Sequence, residues 1–204
     1  MLQNSATPEP ILVIACGALA RELLALKRVN HWGHMQLQCL DASLHNRPAA
    51  IPGLLREKIR RARPRFRRIF IAYADCGTGG EIDRIIERED NVERLPGAHC
   101  YQVFAGAEKF ARLNDEEPGT FYLTDFLVRS FDRLVVQTLK LDQYPQLLDE
   151  FFGNYRRVVY ISQTRDPQLL AAARAAARYL GLEFQHLHNG YGELETSLTL
   201  QMVF

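Results

Sequence analysis

Long hydrophobic runs are missing from this chain of 204 residues. No apolar stretch approaches the ~20 residues that a membrane-crossing helix needs, so no membrane partner is expected. An excess of one charge is missing too: 25 Lys and Arg face 24 Asp and Glu, a formal net charge of +1. That balance gives no electrostatic reason to expect nucleic acid. The first ten residues, MLQNSATPEP, hold no Lys or Arg and no apolar core. They do not read as a secretory signal, so the expected compartment is the cytoplasm. There is no CxxC pair, no Gly-x-Ser-x-Gly elbow, no HExxH helix and no internal repeat of fixed period. These absences remove local zinc fingers, α/β-hydrolase serine chemistry and zincin-type metal sites from consideration.

What is present is an ordinary globular composition, 47% hydrophobic and 24% charged. A disordered chain would be poorer in apolar residues. The pattern alternates strand and helix. After a flexible tail over residues 1–9, ILVIAC (11–16) is a short apolar run of the fully buried strand type. A helix over ALARELLALKRVN follows Gly17. MQLQCLDA (35–42) is a second strand, a helix follows Pro52, and RRIFIAYADC (67–76) is a third strand. Residues 92–106 hold a short strand, a loop and a helix beginning near Cys100. Residues 119–139 read as mostly helix, with a strand at 120–123 as the alternative. RVVYISQT (157–164) is another buried strand. DPQLLAAARAAARYLGL (166–182) carries a full set of helix signals: Asp166 as N-cap, Pro167 in the first turn, Gly181 as stop. LEFQHLHN is a last strand, and the apolar ending LTLQMVF reads as a terminal strand or an association edge. The expected fold is α/β: one domain over residues 10–204, a three-layer, mainly parallel open sheet with helices on both faces, Rossmann-like.

In such sheets, ligands bind beyond the carboxyl ends of the strands. Cys16 ends the first strand, Cys76 ends the third, and His45 lies just past the second. Together with Cys100 they form a candidate metal site, with His45 as the fourth ligand. Thiolate and imidazole suit Zn(II). The plain alternative is that each Cys is a small buried residue at a strand end. Cys39, inside a strand, reads as core.

The turn Asp75-Cys76-Gly77-Thr78-Gly79-Gly80 runs from a strand into a helix. Its backbone N–H groups favour a phosphate or carboxylate, and Gly17 follows the first strand in the same way. The alternative is a tight turn that uses glycine for its dihedrals. Asp125, in an apolar stretch, is either a helix cap or a polar contact in the rim site. The segment Arg56–Arg68 holds eight basic residues and one acidic residue. It reads as a solvated helix face paired with the acid-rich stretch Glu81–Glu93. His186 and His188 flank Leu187, so on a strand both face one side. Glu193 and Glu195 could join them in a second site.

Cys16-Gly17-Ala18, Leu44-His45-Asn46-Arg47-Pro48, Asp75 to Gly80, His99-Cys100-Tyr101 with Gly106, and Gly119 to Phe126 occur in that order. As an ordered set they resemble the family called domain of unknown function 1638, from about residue 10 onward. The resemblance implies no settled activity. It implies a context, since members tend to be encoded beside corrinoid proteins and corrinoid-dependent methyltransferases.

The leading expectation is therefore a zinc-binding protein of corrinoid-linked one-carbon or methyl-transfer metabolism. Cys16, Cys76, Cys100 and His45 would form its metal site. Gly17, Gly77, Thr78, Gly79, Gly80 and Asp125 would form the anion or substrate site. Its partner would be a small-molecule substrate or a corrinoid protein. Two rivals stand beside it: a non-enzymatic tetrapyrrole- or corrinoid-binding accessory protein, and a metal-free small-molecule enzyme with one reactive Cys.

Overall fold

The computed structural model describes residues 9–202. The tail expected over residues 1–9 therefore lies, except for Glu9, outside the described residues. One domain is what the sequence suggests. By contacts the chain groups into two compact units, Met1–Ala98 with Ser197–Phe204, and His99–Thr196.

The first unit runs β1 (Ile11–Cys16), α1 (Ala20–Val29), β2 (Met35–Leu40), α2 (Ile51–Ala62), β3 (Arg68–Ala72), α3 (Glu81–Ile86) and β4 (Val92–Arg94). The four strands form one parallel sheet in the order β2-β1-β3-β4. Every residue of β1 is buried. Side chains alternate between faces along a strand, so a wholly buried strand has both faces covered. Strand β2 lies at the edge, and there the expectation for Cys39 is corrected: it is exposed, because no further strand covers that side. The basic helix α2 pairs as expected of a solvated face. Glu57 takes Arg60 and Arg61 along the helix, and Arg63 reaches Glu89 at 2.9 Å.

The second unit runs α4 (Cys100–Ala105), α5 (Ala107–Glu116), β5 (Thr120–Thr124), α6 (Asp125–Arg129), α7 (Leu147–Phe152), β6 (Arg157–Ser162), α8 (Pro167–Leu180) and β7 (Glu183–His188). It also holds the start of α9 (Glu193–Met202). Its strands are parallel in the order β5-β6-β7. The α/β class and the parallel strands follow the sequence reading, but the strands make two sheets where one was expected. The core gathers Leu123 from β5, Val158 and Tyr160 from β6, and Ala173 and Ala177 from α8. Asp166 caps α8, accepting from the N–H groups of Gln168 and Leu169, and Gly181 ends it with a left-handed φ of 70°.

Two expectations change. Residues 119–139 are not one helix: TFYLT forms β5, since β-branched and aromatic residues favour a strand. Only the short α6 and a π-helical turn at Asp132–Gln137 follow. The apolar ending is helical as far as Met202, not a strand. Leu194, Leu198 and Met202 recur every four residues and are all buried, which is a helical stripe. Among the described residues no helix is long and apolar enough to cross a membrane.

Candidate thiol and imidazole site

β1 and β2 end side by side, with Cys16 opposite Leu40 in the register. The chain then crosses itself closely. A Cβ on Gly17 would stand 3.0 Å from the Leu40 carbonyl oxygen and 3.3 Å from the Ala42 nitrogen. A side chain at position 17 would therefore force this backbone contact apart by a few tenths of an ångström. That close approach seats the short 3-10 helix Ala42–Asn46, capped by Asp41 through the Ser43 N–H at 2.7 Å, directly beyond β1. His45 is on this helix. Its Nδ1 lies 3.0 Å from the Ala42 carbonyl oxygen and 3.7 Å from the Cys16 sulfur. A neutral ring that donates from Nδ1 to Ala42 leaves its Nε2 lone pair for another partner.

The third member is Cys76, between β3 and α3. Its own N–H donates to the Ala98 carbonyl at 2.8 Å, and the Asp75 N–H donates to Gly97 at 3.0 Å. These bonds anchor the turn. Cys76 has φ of 51°, a left-handed conformation that is unusual outside glycine, and Gly77 continues with φ of 80°. Such strain costs on the order of 1–3 kcal/mol and concentrates at functional positions. The thiol acts on His45. A hydrogen bond with Cys76 is the main reason the imidazole is held above its usual range, against the opposing effect of burial. Cys16 behaves differently. Burial pushes its thiol up to about 11, so it is a neutral S–H near pH 7.

Tyr73, one residue past β3, falls inside the stretch 67–76 that the sequence reads as a strand. Its ring is 1% exposed, and its hydroxyl has no hydrogen-bond partner of good geometry among the described residues. Burial pushes its ionisation far up, and the nearby Cys16 and Cys76 sulfurs add to this. The rim of the first sheet thus holds two thiols, an imidazole and a neutral phenol. The signal that could have exposed Tyr73 is positional: it stands among apolar residues within three positions of Cys76, which the sequence reads as the end of the strand but which lies four residues past β3.

The glycine turn does bind an anion, but one of its own. The Asp75 carboxylate accepts from the N–H groups of Gly79 at 3.1 Å and Gly80 at 2.8 Å, and from the Thr78 hydroxyl at 2.9 Å. Burial works against the charge. The three donors together with Arg94 outweigh it and hold Asp75 below the usual carboxylate range. The donors expected to meet a substrate at Thr78, Gly79 and Gly80 are therefore already engaged.

Asp125 and Cys100 belong to the second unit. Asp125 is fully buried and accepts from the Tyr160 hydroxyl at 2.7 Å and the Gln163 N–H at 3.0 Å. It also accepts from the Thr164 N–H at 3.0 Å and the Thr164 hydroxyl at 2.5 Å. It fastens β6 to the loop before α8. Cys100 is the first residue of α4. No disulfide joins the four cysteines.

A zinc ion needs at least three protein ligands in catalytic sites. The imidazole nitrogen that faces Cys16 is Nδ1, which is engaged with the Ala42 carbonyl, so the pair as placed does not present two lone pairs to one ion. Among the described residues no three His, Cys, Asp or Glu side chains are grouped to hold a metal ion. The arrangement as it stands is a cysteine–histidine pair with a second thiol and a phenol beside it.

A family model, described as protein of unknown function (DUF1638), matches residues 39–198. The chain belongs to that family. The matched region contains His45, Cys76, Cys100 and Asp125, and begins after Cys16. No curated protein matches the sequence. Among solved structures, an ornithine carbamoyltransferase from Pyrococcus furiosus is similar at 11% identity with a TM-score of 0.25. The match covers 89% of this chain and 54% of that one, so the chain spans about half that protein's length. A score so low carries no argument about either fold or function.

Proposed function

We propose that the first unit of this DUF1638 protein carries a thiol-based group-transfer site, with Cys76 as nucleophile and His45 as its proton partner. The observation behind this reading is the placement of Cys76: a non-glycine residue in left-handed conformation, on a sharp turn from strand to helix, whose thiol is the largest influence raising the His45 imidazole. That local geometry is the one by which strand–turn–helix folds present a nucleophile at a sheet rim. An imidazole beside a thiol serves as the base that receives its proton when the sulfur attacks.

The chemistry follows from the residues. His45 takes the Cys76 proton, and the thiolate attacks an electrophilic carbon of a small molecule. The carbon–sulfur bond forms as the bond to the leaving group breaks, and that group departs with the electron pair. Tyr73 offers a neutral O–H donor at the same rim. Cys16, kept protonated by burial, does not compete with Cys76 as the attacking sulfur. Transfer of a methyl group from a corrinoid partner, the context implied by the family resemblance, is one reaction of this form.

Cysteine labelling of tag-free protein, with and without a chelator, tests the reading alongside elemental analysis. Cys76 modified at equal rates in both conditions, with loss of that rate in His45→Gln, supports it. Stoichiometric zinc that disappears in Cys76→Ser, with labelling only after chelation, would replace it by the zinc site suggested by the sequence.

A further inference from the structure

The second unit has a rim of its own, at the carboxyl ends of β6 and β7. A cavity of about 340 Å³ opens there, lined by Tyr160, Ser162, Arg165, Leu170, His186 and His188 among others. That volume suits a small metabolite. In the register Tyr160 lies opposite His186, and Ser162 opposite His188. The His186 ring stacks on Tyr160 with centroids 5.3 Å apart.

Ser162 is buried at 1% exposure and sits between the two imidazoles. Its Oγ is 2.9 Å from His186 Nε2 and 3.0 Å from His188 Nδ1. A serine hydroxyl has one proton, so it donates to one ring and accepts an N–H from the other. The two opposite ring nitrogens, His186 Nδ1 and His188 Nε2, are then one donor and one acceptor. A single added proton turns both into donors. The pair is thus a preset hydrogen-bonding fork, locked by a side chain the sequence reading did not single out.

The cavity is lined by one cation, Arg165, and one carboxylate, Asp166. Asp166 is engaged as the α8 cap, and Asp125 is held by its four donors with Arg129 at 3.8 Å. Arg174 lies 4.6 Å over the Phe184 ring. Arg165 is exposed at the mouth. Glu193, expected as a partner of the histidines, instead accepts from the Ala107 N–H at 2.9 Å at the start of α5. The cavity therefore offers a cation and two imidazoles to a ligand, with Asp166 occupied through Oδ1 by the start of α8, and Tyr160, Pro167 and Leu170 supply apolar surface.

We propose that this cavity binds a small molecule with an apolar body and a terminal oxyanion, carboxylate or phosphate, held by His186, His188 and Arg165. Nothing in this proposal depends on the thiol site of the first unit.

Calorimetric titration of the full chain with benzoate, phenyl phosphate and inorganic phosphate tests it. At least one aromatic anion should bind saturably with 1:1 stoichiometry, tighter than inorganic phosphate. Whether benzoate or phenyl phosphate binds better identifies the head group. Arg165→Ala and His188→Gln should each weaken binding about tenfold or more, the loss of one charge-assisted hydrogen bond. In the unmodified protein the His186 and His188 ring protons should shift during the titration, a readout that needs no variant to fold. No saturable binding below about 10 mM, a range weaker than ordinary metabolite sites, overturns the proposal. So does binding that leaves both histidine signals unmoved.

Discussion

Both units end a parallel strand in a loop tied by a carboxylate, and they do it differently. In the first unit the carboxylate is local. Asp75 folds back on the next five residues and satisfies Thr78, Gly79 and Gly80 from a partly exposed position. In the second it is remote. Asp125 opens the helix after β5 and accepts from residues 35 to 39 positions further on, in full burial. The local device shapes a turn, which holds Cys76 in its strained conformation. The remote device ties the start of α6 to β6 and to the loop before α8. A loop tied to itself can be altered with modest loss, whereas a loop tied through the core cannot.

The contrast is sharpest under truncation. Asp125→Ala leaves the Tyr160 hydroxyl, two backbone N–H groups and the Thr164 hydroxyl without their acceptor in a dry site. It should cost on the order of 3–5 kcal/mol, read by urea unfolding. Asp75→Ala exposes its donors to water and should cost only about 1–2 kcal/mol by the same measurement. Equal losses would erase the distinction between the two loops.

Acid provides a finer test. Asp75 is held below its unfolded value of about 3.9. Its contribution is fully present above that value and is lost as pH falls through the lower folded pKa. Asp83 is lowered too, first by its hydrogen bond with Arg94. Stability should therefore fall below about pH 4, and Asp75→Asn should flatten, without abolishing, that decline. An unchanged slope would contradict the assignment of the loop donors to Asp75.

The comparison also explains what the sequence could reveal. Strands β1 and β3 are legible as apolar runs, and α8 carries its start and stop in Asp166, Pro167 and Gly181. The glycine turn was visible because its chemistry is contiguous. Its occupant was harder to see: Asp75, adjacent to the glycines, reads equally well as a neighbour of the site and as the anion within it. Tyr73 and Ser162 stayed hidden for another reason. Each stands near the end of an apolar strand, and its polar atom gains meaning only from partners on other strands or loops, Cys16 and Cys76 in one case, His186 and His188 in the other. The break between β5 and α6 was blurred because TFYLTDFLV is apolar at both strand and helix spacings.

Site-resolved labelling of the four cysteines with iodoacetamide at pH 7 addresses the central claim directly, because exposure and pairing favour different residues. Cys39 is exposed but has no imidazole contact among the described residues, while Cys76 is 9% exposed beside His45. The account predicts that Cys76 reacts faster than Cys39, and that His45→Gln slows Cys76 about tenfold while leaving Cys39 unchanged. Labelling that follows exposure alone, with Cys39 first and no response to His45→Gln, would contradict it.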